Sequence, residues 1–102
     1  MSKTYTVVWS NKATSSLQAI HNFIQNDSPQ GAKKVVRELV KLAQSLQTFP
    51  LRFPIEPLLA EEAIEYRFVT KWSYKIIYTV EENQILIVNI FDTRQSPSKL
   101  NV

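Results

Sequence analysis

Residues 65–97, EYRFVTKWSYKIIYTVEENQILIVNIFDTRQSP, hold three extended runs separated by two short polar breaks. β-branched and aromatic residues fill the runs, and breaks this short leave room only for hairpins. The segment predicts a three-stranded antiparallel meander, with strands over about 65–70, 73–80 and 84–91. Arg67 lies in the first of these strands and Arg94 just past the last. Cationic side chains beside a small sheet suit anions, above all nucleic acid or a nucleic-acid machine.

The residues upstream supply what such a sheet needs to be covered. Residues 4–9 alternate and are rich in β-formers, so they read as a strand. Ser10 or Asn11 then offers an N-cap. Ala13, Leu17, Ile20 and Ile24 follow at steps of four, three and four, the face of a helix. Asn26-Asp27-Ser28-Pro29 ends that helix and starts the next, with Ser28 as N-cap and Pro29 at the first helical position. Ala32, Val36, Leu39, Ala43 and Leu46 form the apolar stripe of the second helix. Two helices with so short a break form an antiparallel hairpin. Residues 49–57, FPLRFPIEP, carry three prolines and read as an ordered connector with Phe49, Leu51 and Phe53 as apolar anchors. Residues 58–64 fit no regular element. The expected architecture is α+β: an N-terminal strand, an antiparallel helical hairpin, then the three-stranded antiparallel meander, with the helices on one sheet face.

The sheet has apolar residues on both sides. Tyr74, Ile76, Tyr78 and Val80 point one way, and Lys75, Ile77 and Thr79 the other. In the last strand Ile85, Ile87 and Phe91 oppose Leu86, Val88 and Ile90. Two helices cover one face; the other needs the connector or a partner.

Composition narrows the function classes. A chain of 102 residues is expected to form one domain spanning 1–102. The single glycine, Gly31, argues against a phosphate-cradling glycine loop. The chain has no cysteine, which removes disulfides, thiol catalysis and thiolate metal sites. The one histidine, His21, sits one residue past Ile20 and reads as a boundary residue on the first helix. Neither a metal nor a cofactor is expected. The start MSKTYTVVWS has no long apolar run, and no segment approaches the roughly 18 apolar residues of a membrane span. The expected setting is therefore the cytoplasm, away from membranes. A net charge of +3 permits nucleic-acid binding without demanding it.

Several motifs in order resemble the RelE/ParE superfamily of toxins from bacterial type II toxin–antitoxin (plasmid stabilisation) modules. They are the N-D-S-P helix break followed by G-A and a basic amphipathic helix over 26–47, and the connector with its F-P. After these come Glu65-Tyr66-Arg67-Phe68, Tyr74-Lys75-Ile76-Ile77-Tyr78, and the ending Ile90-Phe91-Asp92-Thr93-Arg94-Gln95-Ser96-Pro97. The last is similar to the family's pattern of two hydrophobic residues, His, any residue, Arg, any two residues and Pro. The resemblance implies a compact sheet with a helical hairpin and neutralisation by a cognate antitoxin. It also implies one of two activities. RelE-like members cut mRNA in the ribosomal A site; ParE-like members inhibit DNA gyrase. The Asp27-Ser28-Pro29 start of the second helix, with Ala32, leans toward ParE. A non-toxic remnant that still binds its antitoxin is the remaining alternative.

On this resemblance Arg67 and Arg94 are the foremost site residues. In a ribonuclease their guanidinium groups would stabilise charge on the phosphate; in an inhibitor they would hold an acidic protein surface. Asp92 stands where the family often has histidine, and no tyrosine follows Arg94. A carboxylate beside an arginine is a weak base and a poor acid, so Asp92 reads first as the partner of Arg94. Lys71, in the hairpin turn, and Lys75 are secondary cations. Lys75 shares a face with Arg67 if the hairpin sets apolar against apolar residues. Trp72, in the same turn, suits a contact surface. Lys33, Arg37 and Lys41 line a basic stripe on the second helix, with Lys34 beside it.

Overall fold

A computed structural model describes residues 3–102; the first two residues of the MSKTYTVVWS start lie outside the described residues. The chain runs β1 (Thr6–Trp9), α1 (Asn11–Gln25), α2 (Pro29–Gln44), β2 (Arg67–Lys71), β3 (Tyr74–Val80) and β4 (Gln84–Asp92), with short 3-10 turns in the connector and tail. Both helices start where a serine can cap them. The Ser10 hydroxyl accepts from the Ala13 amide at 3.0 Å, and the Ser28 hydroxyl accepts from Gly31 at 2.9 Å. Glycine has a reason to stand at 31: a Cβ there would meet the Ser28 hydroxyl at 2.9 Å.

The hairpin packs on one face of a four-stranded sheet of order β1-β4-β3-β2. β1 is parallel to β4, and the other pairs are antiparallel. Ala13, Leu17 and Ile20 of α1, and Val35, Leu39, Leu42 and Ala43 of α2, meet Tyr74, Ile76, Tyr78, Ile85, Ile87 and Ile90. Each large apolar side chain in that layer contributes about 1.5–3 kcal/mol of burial. Val36 and Ile24, expected on these faces, stand outside the cluster, while Val35 and Leu42 belong to it.

One expectation about the sheet is corrected by a β-bulge. Ile77 pairs with Asn89 and Tyr78 with Ile87, which leaves Val88 as the extra residue. The extra residue inverts the alternation beyond it. Ile90 therefore joins Ile85 and Ile87 under the helices instead of siding with Leu86 and Val88. The Val88 carbonyl accepts from the Ser10 hydroxyl at 3.0 Å, so the bulge is tied to the start of α1.

The second face is covered from within the chain. Leu59 of the connector and Leu100 of the tail pack on Ile77, Val88, Phe68 and Leu86. The connector also extends the sheet edge, with Glu56 N bonded to Tyr66 O and Phe68 N to Pro54 O. Two of its expected anchors face the other way. Phe49 is 61% exposed and Leu51 58%, while Pro50 is buried and Phe53 packs on the core. Among the described residues no helix is long and apolar enough to cross a membrane.

Candidate functional site

The end of β4 places Asp92 opposite Tyr74 of β3, and Arg94 two residues further on. Asp92 Oδ2 accepts from Arg94 Nη2 at 2.7 Å, and Oδ1 accepts from Arg94 Nε and from its backbone amide, each at 3.0 Å. The Arg94 guanidinium thereby holds the Asp92 carboxyl below the usual carboxylate range, although partial burial opposes the shift. Arg94 is held above its own usual value, chiefly by the same carboxylate. Asp92 is thus a carboxylate at neutral pH and has no proton to give. Next to the pair, Thr93 bonds the Ser73 carbonyl through both its amide and its hydroxyl, at 2.7 Å each, which fastens the strand end to the β2–β3 turn.

Asp92 and Arg94 line a groove of about 520 Å³ between α1 and the end of β4. Ile20, Phe23 and Phe91 supply apolar surface, and Lys12 and Lys99 stand with Arg94 among its cations. Phe23 is 69% exposed, so this apolar surface is open to solvent.

Arg67 belongs to a different part of the molecule. It starts β2 opposite Tyr78, whereas Asp92 lies opposite Tyr74 and two strands away. At about 3.3 Å per residue and about 4.8 Å per strand, their backbones are roughly 16 Å apart. The Arg67 side chain is only 17% exposed. Its Nη1 donates to the carbonyls of Phe53 and Leu51, and its Nη2 meets the Glu65 carboxylate at 2.8 Å. It is a strut between the sheet edge and the connector. Tyr78 does the same from beneath: it is fully buried, and its hydroxyl donates to the Pro50 carbonyl at 2.6 Å.

Burial pushes the Tyr78 pKa up to about 12, against the opposing pull of the Arg67 and Arg52 cations. A proton that the folded chain keeps and the unfolded chain loses makes stability fall as pH rises. The full contribution is present below pH 10.0 and lost progressively as pH climbs toward about 12. About two pKa units correspond to about 3 kcal/mol. Melting curves across this window are expected to show a steeper alkaline loss for wild type than for Tyr78→Phe.

Lys75 departs from its expected place. The two-residue turn pairs Lys71 with Tyr74, so Thr70 pairs with Lys75 and Arg67 with Tyr78. Alternation then sets Lys75 on the face opposite Arg67. There Lys75 Nζ lies 2.7 Å from the Glu56 carboxylate and 4.5 Å from the centre of the Phe68 ring. Lys71 is the last residue of β2 rather than part of the turn; it reaches Glu38 of α2 at 3.7 Å and lies over Trp72. Trp72 is 54% exposed, on a backbone with φ 54. Lys33, Arg37 and Lys41 all lie on the exposed side of α2, together with Lys34. His21 is half-buried, and its Nδ1 is buried without a partner. Among the described residues no group of three His, Cys, Asp or Glu side chains could hold a metal ion.

Glu56, which no motif in the sequence marks, belongs with Lys75. It is fully buried, and its Oε1 also accepts from the Leu58 amide at 3.0 Å. The available signal was an acid enclosed by Pro54, Ile55 and Pro57.

The helical hairpin on this mixed sheet is the α+β fold of the RelE/ParE toxins. A chain of the chromosomal ParDE toxin–antitoxin system from P. aeruginosa shares it, with a TM-score of 0.70 over 85% of this chain and 94% of that one, at 24% identity. No curated protein sequence gives a significant match. The sequence model of the ParE toxin of the type II toxin–antitoxin system parDE matches residues 7–97, from the second residue of β1 through both helices and the other described strands. The chain belongs to this family of ParE toxins.

Proposed function

We propose that this toxin stops growth by binding a protein target, DNA gyrase, without cutting RNA, and that a cognate antitoxin neutralises it. The family supports the inhibitory reading. The observation that carries it is the separation of the two arginines. RNA cleavage through the 2′-hydroxyl needs cations and proton-transfer groups gathered on one phosphate. Arg67 starts β2, whereas Arg94 lies past the end of β4, beyond an Asp92 whose backbone is roughly 16 Å from that of Arg67 by strand geometry. Arg67 is engaged with backbone carbonyls, and Asp92 is tied to Arg94 as a carboxylate. Lys75 is paired with Glu56 on the other sheet face. The groove beside α1 fits the antitoxin: its apolar surface and its cations suit an acidic amphipathic segment.

Induction of the chain in bacterial cells, with and without the product of an adjacent small open reading frame, tests this. Filamentation and a DNA-damage response, both relieved by the second product, are expected. Rapid loss of translation with mRNA cut at ribosomes would overturn the reading in favour of the ribonuclease. No growth effect at all would reduce the chain to an antitoxin-binding remnant.

A further inference from the structure

The turn over residues 48–53 is built at odds with its own side chains. Phe49 has φ 51 and ψ 50, a left-handed conformation that a bulky residue adopts only under strain. The strain persists because the turn is held from every side. Tyr5 N bonds Gln47 O at 2.8 Å, and Arg52 N bonds Phe49 O at 3.2 Å. Thr48 bridges to Thr4. The buried Tyr78 hydroxyl takes the Pro50 carbonyl, and Arg67 takes those of Leu51 and Phe53. Yet Phe49 is 61% exposed and Leu51 58%, so the strain gains no core packing for either. Glycine or asparagine would adopt this conformation at lower cost. Between Phe49 and Leu51 in the chain, Pro50 is buried, so the turn is anchored by its proline while both apolar neighbours stay open to solvent. Arg52 follows, stacked on Phe53 at 4.7 Å, with no carboxylate in ion-pair range among the described residues.

We infer that this pinned turn is the surface with which the toxin grips its target protein. Phe49 and Leu51 enter an apolar pocket, and carboxylates on the pocket's rim meet Arg52. Pre-organised apolar side chains lose little freedom on binding, which is what a strained but rigid display achieves. The inference rests on the proposed mode of action, binding to a protein, and adds the surface that does it.

The test uses the full chain as Phe49→Asn and, separately, Leu51→Ser, with Ile64→Asn as a matched loss of exposed apolar surface elsewhere. Asparagine tolerates the left-handed backbone, so Phe49→Asn is expected to melt at or above the wild-type temperature. It is also expected to abolish growth arrest and to raise the concentration needed for half-inhibition of purified gyrase at least tenfold. Ile64→Asn is expected to arrest growth like wild type. Wild-type arrest by both Phe49→Asn and Leu51→Ser would overturn the inference. So would loss of antitoxin capture, or of self-association, with arrest intact, since the turn would then serve another partner. If wild type arrests growth but leaves supercoiling untouched, gyrase is the wrong target, and loss of arrest in Phe49→Asn still supports the turn. A wild type that neither arrests growth nor blocks supercoiling would overturn both.

Discussion

Glu56→Ala is expected to destabilise the fold by about 3–5 kcal/mol, the cost of leaving one partner of a buried ion pair uncompensated. Glu56 is fully buried, and Lys75 is 14% exposed with its ammonium 2.7 Å from the carboxylate. Without that carboxylate the largely buried ammonium keeps its place over the Phe68 ring but loses its counter-charge. The Leu58 amide loses its acceptor as well, so the turn at Pro57–Leu59 loses its cap. For a domain of this size each kcal/mol moves Tm by about 4–8 °C, so a drop of at least about 12 °C is expected. The effect should spread to the second sheet face, because Leu59 is seated there by the same stretch of connector. Glu56→Leu combined with Lys75→Met should recover most of the loss, since removing both charges removes both desolvation costs. A single Glu56→Ala cost below about 1 kcal/mol would mean that the Glu56–Lys75 pair adds little to the hydrogen bonds and apolar contacts that already hold the connector.

Arg67→Met is the second large effect, expected at about 2–4 kcal/mol. A charge-assisted hydrogen bond to a carbonyl contributes about 1.5–3 kcal/mol, and the contact with half-exposed Glu65 adds little. Methionine keeps most of the apolar stem, so the loss measures the guanidinium. Lysine should rescue poorly, because one ammonium does not reproduce the fork that reaches Leu51, Phe53 and Glu65 together. Growth arrest is expected to weaken in parallel, since the carbonyls released belong to the turn that displays Phe49 and Leu51. Arg94→Ala, by contrast, should leave Tm unchanged, as that guanidinium is solvent-facing. A stable Arg67→Met that nonetheless loses growth arrest would show that Arg67 touches the target directly.

Local chemistry made much of this fold legible. Ser10, Ser28 and Pro29 mark the helix starts because capping is a property of a few adjacent residues. The strands announce themselves through composition, and each begins or ends within two residues of expectation. What failed was non-local. Nothing near residues 4–9 records a parallel pairing with β4, the last strand in the chain. The bulge at Val88 is silent because Ile87-Val88-Asn89-Ile90-Phe91 offers large apolar residues in both alternations, with Asn89 as the single polar position. The face of Lys75 depended on hairpin register. Trp72-Ser73 is not a turn pair whose chemistry fixes that register in advance. In the connector, Phe49 and Leu51 look like anchors on hydrophobicity alone; proline geometry instead turns Pro50 and Phe53 inward. The Asp92–Arg94 pair was legible because its members are two residues apart at a strand end. The Glu56–Lys75 pair spans the connector and the sheet, and no spacing rule connects them.

The proposed mode of action is binding to a protein, with no RNA cut. Purified protein added to DNA gyrase and relaxed plasmid, with a parallel reaction on ribosomes carrying mRNA, tests it most directly. A block of supercoiling that rises with toxin concentration is expected, with mRNA left intact. Undisturbed supercoiling together with cleaved mRNA would contradict it.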